Sequence, residues 1–232
     1  MTYVDYWIFD FKKNWSVFLT NTKNIKNLVL AISLFSVVSY LFRLNLEKFE
    51  KIQGVLLNDF LLDILPTYDM SMEIFIILYF TVFAAFIFLL AYPVILNYTF
   101  GMYTIALSVR LMMLFLINLE PPVGMKLLYD PILAVSTYNG LVITKDLFFS
   151  GHCVSMFVCY FGMPNNFLRK MFGIFSLILT FMILIQHIHY TIDVLGAYIV
   201  VFLIYKVYFR QQLKNNNSIE HYSPELIDVQ YH

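Results

Sequence analysis

Six apolar stretches, each near the length that crosses a lipid bilayer, constrain this chain more than any other feature. A helix needs roughly 20 residues to span a hydrocarbon layer of about 30 Å. Because 60% of the 232 residues are hydrophobic and only 13% are charged, the composition excludes an ordinary soluble domain. The sequence therefore predicts an all-α integral membrane protein with a six-transmembrane-helix bundle. The stretches are 25–42, 72–96, 98–119, 148–163, 171–187 and 191–208.

The same stretches divide the chain into three parts. We expect one membrane catalytic domain over residues 25–208. Residues 1–24 carry Asp10 and Lys12 among scattered aromatic side chains and lack the unbroken apolar core of a signal peptide, so we expect an interfacial segment. Residues 209–232 are polar, and we assign this tail no chemistry.

Charge balance and charge placement indicate partners and orientation. Fifteen basic and fifteen acidic residues give no reason to expect a nucleic-acid partner. Lys and Arg favour the cytoplasmic side of a membrane, so we expect both termini there. That orientation places Lys12, Lys13, Lys23, Lys26, Arg169, Lys170, Lys206, Arg210 and Lys214 inside, and Arg43, Lys48, Lys51, Lys126 and Lys145 outside.

An alternating six-span path brings two distant histidines to one membrane face. His152 begins the fourth stretch, and His189 lies where the fifth ends and the sixth begins. The long loops 43–71 and 120–147 share that face, where we expect function to concentrate. The opposite face receives short turns, which we expect at Asn97 and at 164–170.

His189 and Asp193 are four residues apart, so on a helix they would share a face. A hydrogen bond from one ring N–H of His189 to the Asp193 carboxylate would fix that nitrogen and leave the other as a nucleophile, with the carboxylate stabilising the cation that forms. A helix-capping aspartate beside an interfacial histidine is the alternative. His187, two residues before His189, would point elsewhere on a regular helix, and we expect packing or a supporting hydrogen bond from it.

His152 follows Ser150 and Gly151 at a helix start. Free backbone amides and the positive end of the helix dipole favour a phosphate oxygen there, so we expect Ser150 and Gly151 to bind substrate. His152 could protonate a leaving oxygen. A histidine that only bridges two helices is the alternative, but ionisable residues in membrane segments are usually functional.

Arg110 is a charge inside the third stretch, about 13 Å of helix below its outer end. Its guanidinium could hold a phosphate oxygen in a bidentate fork. The alternative is a structural pair with Asp193, Asp59 or Glu120. Asp59 in the first long loop and Asp146, six residues before His152, are further candidates for substrate binding. The alternative is that both are ordinary residues of interfacial loops.

Two short motifs carry a family resemblance. Residues 146–152, DLFFSGH, resemble the third motif of the sphingomyelin synthase branch of the type 2 phosphatidic acid phosphatase superfamily, and residues 189–194, HYTIDV, resemble its fourth. Fainter similarity extends the resemblance to about residues 50–208. It implies six helices and a site that faces the lumen or exterior, and it assigns the triad to His152, His189 and Asp193, with His189 attacking. Tyr190, inside the fourth motif, is expected to contact substrate.

The chain departs from the wider superfamily in its cations. The phosphatases carry an Arg six residues before the second histidine, where this chain has Ile183, and it lacks their upstream KxxxxxxRP string. Because a buried charge needs a partner, fewer cations disfavour a dianionic phosphomonoester and favour a monoanionic phosphodiester.

The resemblance and these departures predict a lipid phosphotransferase. We expect transfer of a phosphocholine or phosphoethanolamine group from a glycerophospholipid to a lipid hydroxyl, such as that of ceramide or diacylglycerol, through a phosphohistidine and without metal or other cofactor. Three alternatives stay open: hydrolysis of phospholipid or lipid phosphate by the same triad, a zinc hydrolase that uses His152, His187, His189 and Asp193 as ligands, and a non-catalytic lipid carrier.

Overall fold

The structure is a computed structural model that describes residues 3–128, 130 and 143–215. Within these ranges the regular structure is helical, apart from one isolated bridge between Val55 and Leu119. The predicted all-α membrane fold is confirmed. The helices are α1 Tyr3–Thr20, α2 Thr22–Lys51, α3 Phe60–Ile64, α4 Ser71–Leu90, α5 Pro93–Leu116, α6 Gly151–Gly162, α7 Asn166–Ile185, α8 Thr191–Ile204, a π-helical turn Tyr205–Phe209 and α9 Arg210–Asn215.

Five helical segments of the described chain are long and apolar enough to cross a membrane. They are α2, α4, α5, α7 and the continuous run from Thr191 to Lys214. The fourth predicted span, 148–163, is shorter, because helix α6 has 12 residues and rises only about 18 Å. The chain is therefore a multi-pass membrane protein, whose described residues include five helices long enough to span a membrane and one shorter apolar helix of 10–17 residues, α6.

The turn between α4 and α5 lies at Ala91 and Tyr92, so the prediction of a turn at Asn97 is wrong. Pro93 occupies the first turn of α5, where a missing backbone N–H costs nothing and the fixed φ suits the helix. Asn97 instead lies inside α5 and is buried.

The first span is also longer than predicted. Helix α2 continues to Lys51, so Arg43, Lys48 and Lys51 belong to this helix and not to a loop. Cationic side chains do not end a helix, because their aliphatic stems can lie along apolar surface while the charge reaches water.

The predicted interfacial segment is largely helix α1, which packs at the end of the bundle where α4 stops. The Asn14 side chain donates to the carbonyl of Ala91 at 2.8 Å, and the Trp15 indole donates to that of Leu90 at 2.7 Å. These bonds satisfy carbonyls that the end of α4 would otherwise leave unpaired. At the other terminus, residues 216–232 of the predicted tail lie outside the described residues.

Short helix α6 occupies the centre of the bundle. It packs against α4, α5, α7 and α8, and most of its apolar side chains are buried. At its far end Gly162 permits close approach to α5, because a Cβ there would lie 2.7 Å from the Thr99 hydroxyl. Because four helices surround α6, its first turn lies among them at one end of the bundle. His152 belongs to this first turn.

Candidate functional site

His152 and His189 meet at one end of the bundle. His152 lies in the first turn of α6, and His189 lies in the turn between α7 and α8. Their ring centroids are 5.9 Å apart and their planes are inclined at 64°. The structure thus places on one face two imidazoles that are 37 positions apart in the sequence.

Asp193 orients His189 through a capping interaction. Its Oδ2 lies 3.3 Å from Nδ1 of His189 and accepts the backbone N–H of Tyr190 at 2.9 Å. His189 precedes α8, so the prediction that His189 and Asp193 share a helical face is wrong. The two side chains meet because Asp193, the third residue of α8, reaches back to the start of the helix. Asp193 is therefore both a cap and the hydrogen-bond partner of Nδ1, which leaves Nε2 of His189 for chemistry.

The start of α6 is tied to the start of α8. Ser150 caps α6 by accepting the N–H of Cys153 at 3.4 Å, and its own N–H donates to the carbonyl of Asp193 at 3.1 Å. Within the part of the chain that the structure describes, Nδ1 of His152 is buried and has no hydrogen-bond partner. These bonds fix the position of one histidine relative to the element that carries the other.

Arg110 holds the segment that leads to His152. Its Nε donates to the Phe149 carbonyl at 2.6 Å, and its Nη2 lies 2.7 Å from Oδ1 of Asp146. The predicted structural pairing of Arg110 with Asp193, Asp59 or Glu120 is therefore wrong. The segment 146–149 contacts the guanidinium instead and supplies Asp146 as its partner. Arg110 lies six residues from the end of α5, or about 9 Å of helix, which is shallower than predicted.

Gly151 allows Arg110 to lie directly beneath the start of α6. A Cβ at Gly151 would come within 3.0 Å of the guanidinium carbon. Arg110 also lies over the Phe42 ring, 4.8 Å from its centroid. A buried cation beside the first turn of α6 favours an anion there, although Asp146 neutralises most of its charge.

Hydrogen bonds join the end of α2 to the long loops, and we call the residues that form them the loop clasp. They are Glu50, Gly54, Glu120, Thr144 and Lys145. Glu120 accepts the Lys145 ammonium at 2.8 Å and the Gly54 N–H at 2.7 Å. Glu50 accepts the backbone N–H groups of Thr144 at 2.9 Å and of Lys145 at 3.1 Å. The hydrogen bond from Lys145 and that from Gly54 lower the pKa of Glu120 below its ordinary value. The clasp anchors the approach to Asp146 and was not foreseen from the sequence.

Asp59 and Tyr190, both predicted to contact substrate, make hydrogen bonds within the protein. Asp59 accepts the N–H of Thr191 at 2.6 Å and its hydroxyl at 2.9 Å, and it also caps α3. The Tyr190 hydroxyl donates to the carbonyl of Glu120 at 2.9 Å. These contacts tie both long loops to the start of α8, so the structure shows how these residues hold His189 in place.

Gln186 and His187 complete the turn before His189. Gln186 is fully buried, and its side-chain NH₂ donates to the Ser71 hydroxyl at 2.8 Å while its oxygen accepts the Met70 N–H at 3.0 Å. His187, at a φ of 56°, has its Nδ1 3.1 Å from the carbonyl of Val123, which is the supporting bond expected of it. The role of Gln186 was not predicted from the sequence. The local indication of it is that a polar residue stands at the end of an apolar run.

The predicted zinc alternative finds no geometric support among the described residues. No group of three or more His, Cys, Asp or Glu side chains there is arranged to hold a metal ion. His187 turns toward Val123 and not toward the other histidines. The described site is therefore a pair of imidazoles, one of them supported by a carboxylate.

The segment that carries this site is similar to a known protein family. Residues 145–210 match the family model described as PAP2 superfamily C-terminal, which covers a little over a quarter of the chain. No curated protein shows significant similarity to the chain. Members of the matched superfamily are membrane phosphatases and phosphotransferases. The match supports the type 2 phosphatidic acid phosphatase superfamily as the family to which the segment with His152, His189 and Asp193 is related.

Proposed function

We propose that this protein transfers a phosphocholine or phosphoethanolamine group from a glycerophospholipid to the hydroxyl of a second lipid, with His189 as the nucleophile. The observation that carries the proposal is the separation of 5.9 Å between the two imidazole centroids. Reacting atoms in a near-attack arrangement lie about 3–3.5 Å apart. One phosphorus atom between the rings can therefore be within reach of both.

The two half-reactions use the same three side chains. In the first, Nε2 of His189 bonds to phosphorus, the bond from phosphorus to the diacylglycerol oxygen breaks, and His152 gives that oxygen a proton. In the second, the oxygen of the acceptor hydroxyl bonds to phosphorus, the bond from nitrogen to phosphorus breaks, and His152 takes the hydroxyl proton. Asp193 stabilises the positive charge that develops on His189.

The charges around the site support a phosphodiester substrate. Arg110 is paired with Asp146, and Lys145 is paired with Glu120. A dianionic phosphomonoester would need more uncompensated positive charge than these pairs offer, whereas a diester carries one negative charge. This supports head-group transfer over hydrolysis of a lipid monophosphate.

The resemblance to the sphingomyelin synthase branch supplies the identity of the lipids in this proposal. It favours ceramide as acceptor, with diacylglycerol as the second choice, and a site on the lumenal or exterior face. The polar loops gather at the end of the bundle that holds His152 and His189, which is the face predicted to be extracytoplasmic from the cationic residues.

A lipid transfer assay tests the proposal. Purified protein is incubated with labelled phosphatidylcholine or phosphatidylethanolamine, with and without ceramide, and lipids are identified by mass spectrometry. We expect diacylglycerol together with a new ceramide-linked phospholipid. Diacylglycerol without that product would indicate hydrolysis, and phosphate release from phosphatidate alone would contradict the diester proposal.

Variants distinguish catalysis by the triad from lipid carriage and from metal-dependent hydrolysis. We expect His152→Ala and His189→Ala to abolish both products, while His221→Ala, a histidine of the polar tail, retains them. Full cellular function of His189→Ala would favour a non-catalytic carrier. Loss of activity to chelators, with stoichiometric zinc in the purified protein, would favour a metal-dependent hydrolase.

A further inference from the structure

The end of the bundle opposite to His152 carries most of the basic residues of the chain. The nine lysine and arginine residues assigned above to the inner side lie in α1, in the first two turns of α2 and of α7, and in the helical run Tyr205–Asn215. We call these nine residues, with the helix segments that carry them, the basic end. The same segments contain two acidic residues, Asp5 and Asp10. The net charge of zero for the whole chain therefore hides a strong separation of charge along the bundle.

The cations at the two ends of the bundle differ in their partners. Near the site, Arg110 pairs with Asp146 at 2.7 Å and Lys145 pairs with Glu120 at 2.8 Å. Among the described residues, no cation of the basic end forms an ion pair with a carboxylate. The positive charge of the basic end is therefore available to an anion outside the protein.

Helix α1 presents apolar and cationic side chains together on its outer surface. Ile8, Phe9 and Leu19 are 41%, 57% and 54% exposed, and Lys12 and Lys13 on the same helix are exposed as well. The hydrogen bonds to the end of α4 described above fix the other side of α1 to the bundle. Exposed apolar side chains mixed with lysines are typical of a helix that lies in the head-group region of a bilayer. A soluble acidic partner would leave much of this hydrocarbon in water, so the surface favours a lipid.

We propose that the basic end binds the head groups of anionic phospholipids in the leaflet opposite to His152 and His189. The phosphates of such lipids lie at the membrane surface, where α2 and α7 begin and carry their lysine and arginine residues. A cation close to an anionic membrane surface strengthens binding by a factor of about five. Phosphatidylcholine gains less, because its own quaternary ammonium cancels the charge of its phosphate. The inference concerns a second surface of the protein and does not depend on the proposed reaction.

The two tryptophans of the chain, Trp7 and Trp15, both lie in α1 and report on lipids bound next to it. The full chain is reconstituted in phosphatidylcholine vesicles that contain increasing fractions of phosphatidylglycerol brominated in the upper part of its acyl chains, since bromine quenches tryptophan fluorescence on contact. Phosphatidylcholine brominated at the same positions is the reference. We expect phosphatidylglycerol to bind next to α1 about fivefold more strongly than phosphatidylcholine. Most of this preference should disappear at about 1 M salt, where charges are screened within a few ångströms.

Two matched double variants test whether the basic end causes the preference. Lys23→Gln with Lys26→Gln removes two exposed lysines at the start of α2. Lys48→Gln with Lys51→Gln removes two exposed lysines with the same spacing at the other end of this helix. We expect the first variant to lower the preference for phosphatidylglycerol and the second to leave it unchanged. Quenching by brominated phosphatidylcholine should be the same in all these proteins, which reports that the variants keep their fold.

Adding Lys12→Gln and Lys13→Gln to the first variant should bring the preference next to α1 close to unity. Equal quenching of the unsubstituted protein by the two brominated lipids would overturn the inference, as would a preference that survives in the fourfold variant or at about 1 M salt. An equal loss in the two double variants would show that net charge alone decides, and would also overturn it. Displacement of the brominated lipid by soluble glycerol phosphate at constant ionic strength would indicate a site for free phosphate and contradict a lipid surface.

Discussion

Replacement of Asp193 by asparagine should slow the reaction without unfolding the protein. The carboxylate has two functions, since Oδ2 accepts the Tyr190 N–H at 2.9 Å and faces Nδ1 of His189 at 3.3 Å. An asparagine oxygen can keep the first bond. Its NH₂ group would then favour the wrong tautomer of His189, and the negative charge that stabilises the imidazolium is lost.

The separation sets the magnitude. With an effective dielectric constant of about 20, unit charges at the 3.3 Å contact distance attract by about 5 kcal/mol, which is an upper value because each charge is spread over several atoms. Since about 1.4 kcal/mol corresponds to a tenfold change in rate, Asp193→Asn should lower the rate by about a hundredfold to several thousandfold.

The assay is the initial rate of diacylglycerol release from labelled phosphatidylcholine or phosphatidylethanolamine, with the thermal unfolding midpoint measured on the same preparation. We expect a midpoint close to that of the unsubstituted protein and a rate reduced as above. A rate within threefold of the original, at an unchanged midpoint, would refute the role assigned to Asp193.

Three further changes test how the site is supported. Gly151→Ala should destabilise the protein by about 1–3 kcal/mol, because the new Cβ would lie 3.0 Å from the guanidinium carbon of the enclosed Arg110, and an unchanged unfolding midpoint would contradict this packing. Glu120→Gln should lower the thermal unfolding midpoint at about pH 7. A carboxyl group whose pKa is lowered in the folded state stabilises the protein only while it is ionised, so the difference in midpoint between variant and original should vanish as the pH falls below the ordinary pKa of 4.5 and through the lower pKa of the folded state. A difference in midpoint that stays constant with pH would contradict the contact with Lys145. Asp59→Ala should cost about 0.5–2 kcal/mol as a lost cap while Asp59→Asn costs less, and equal effects would contradict the capping role.

The spans could be read from the sequence because hydrocarbon length and hydropathy are local properties. The predicted stretch 191–208 coincides closely with α8 and the π-helical turn, which together run from Thr191 to Phe209. The errors fall where one residue decides the boundary. Pro93 begins α5 and moves the turn away from Asn97, and the cationic end of α2 continues the helix to Lys51.

The meeting of His152 with His189 also followed from the sequence, since alternation of spans fixes which ends share a face. The partners of charged side chains did not follow. Arg110 pairs with Asp146 because the chain before α6 descends into the bundle, and no local pattern specifies that descent. His189 contacts Asp193 through a helix cap, a different geometry from the helical spacing that suggested the pair.

Residues at helix ends that contact distant segments were the hardest to foresee. Glu50 and Gln186 act through contacts with segments more than 90 positions away in sequence. A single acidic or amide residue at a helix end has no periodicity to mark it, so its role becomes visible only when the fold is assembled.

Whether His189 carries the head group between donor and acceptor can be measured by intact-protein and peptide mass spectrometry after incubation with phospholipid donor in the absence of acceptor. We expect an acid-labile phosphocholine or phosphoethanolamine adduct on His189, absent from His189→Ala and removed when ceramide is added. Formation of diacylglycerol without any such adduct, or an adduct on a residue other than His189, would contradict the covalent mechanism.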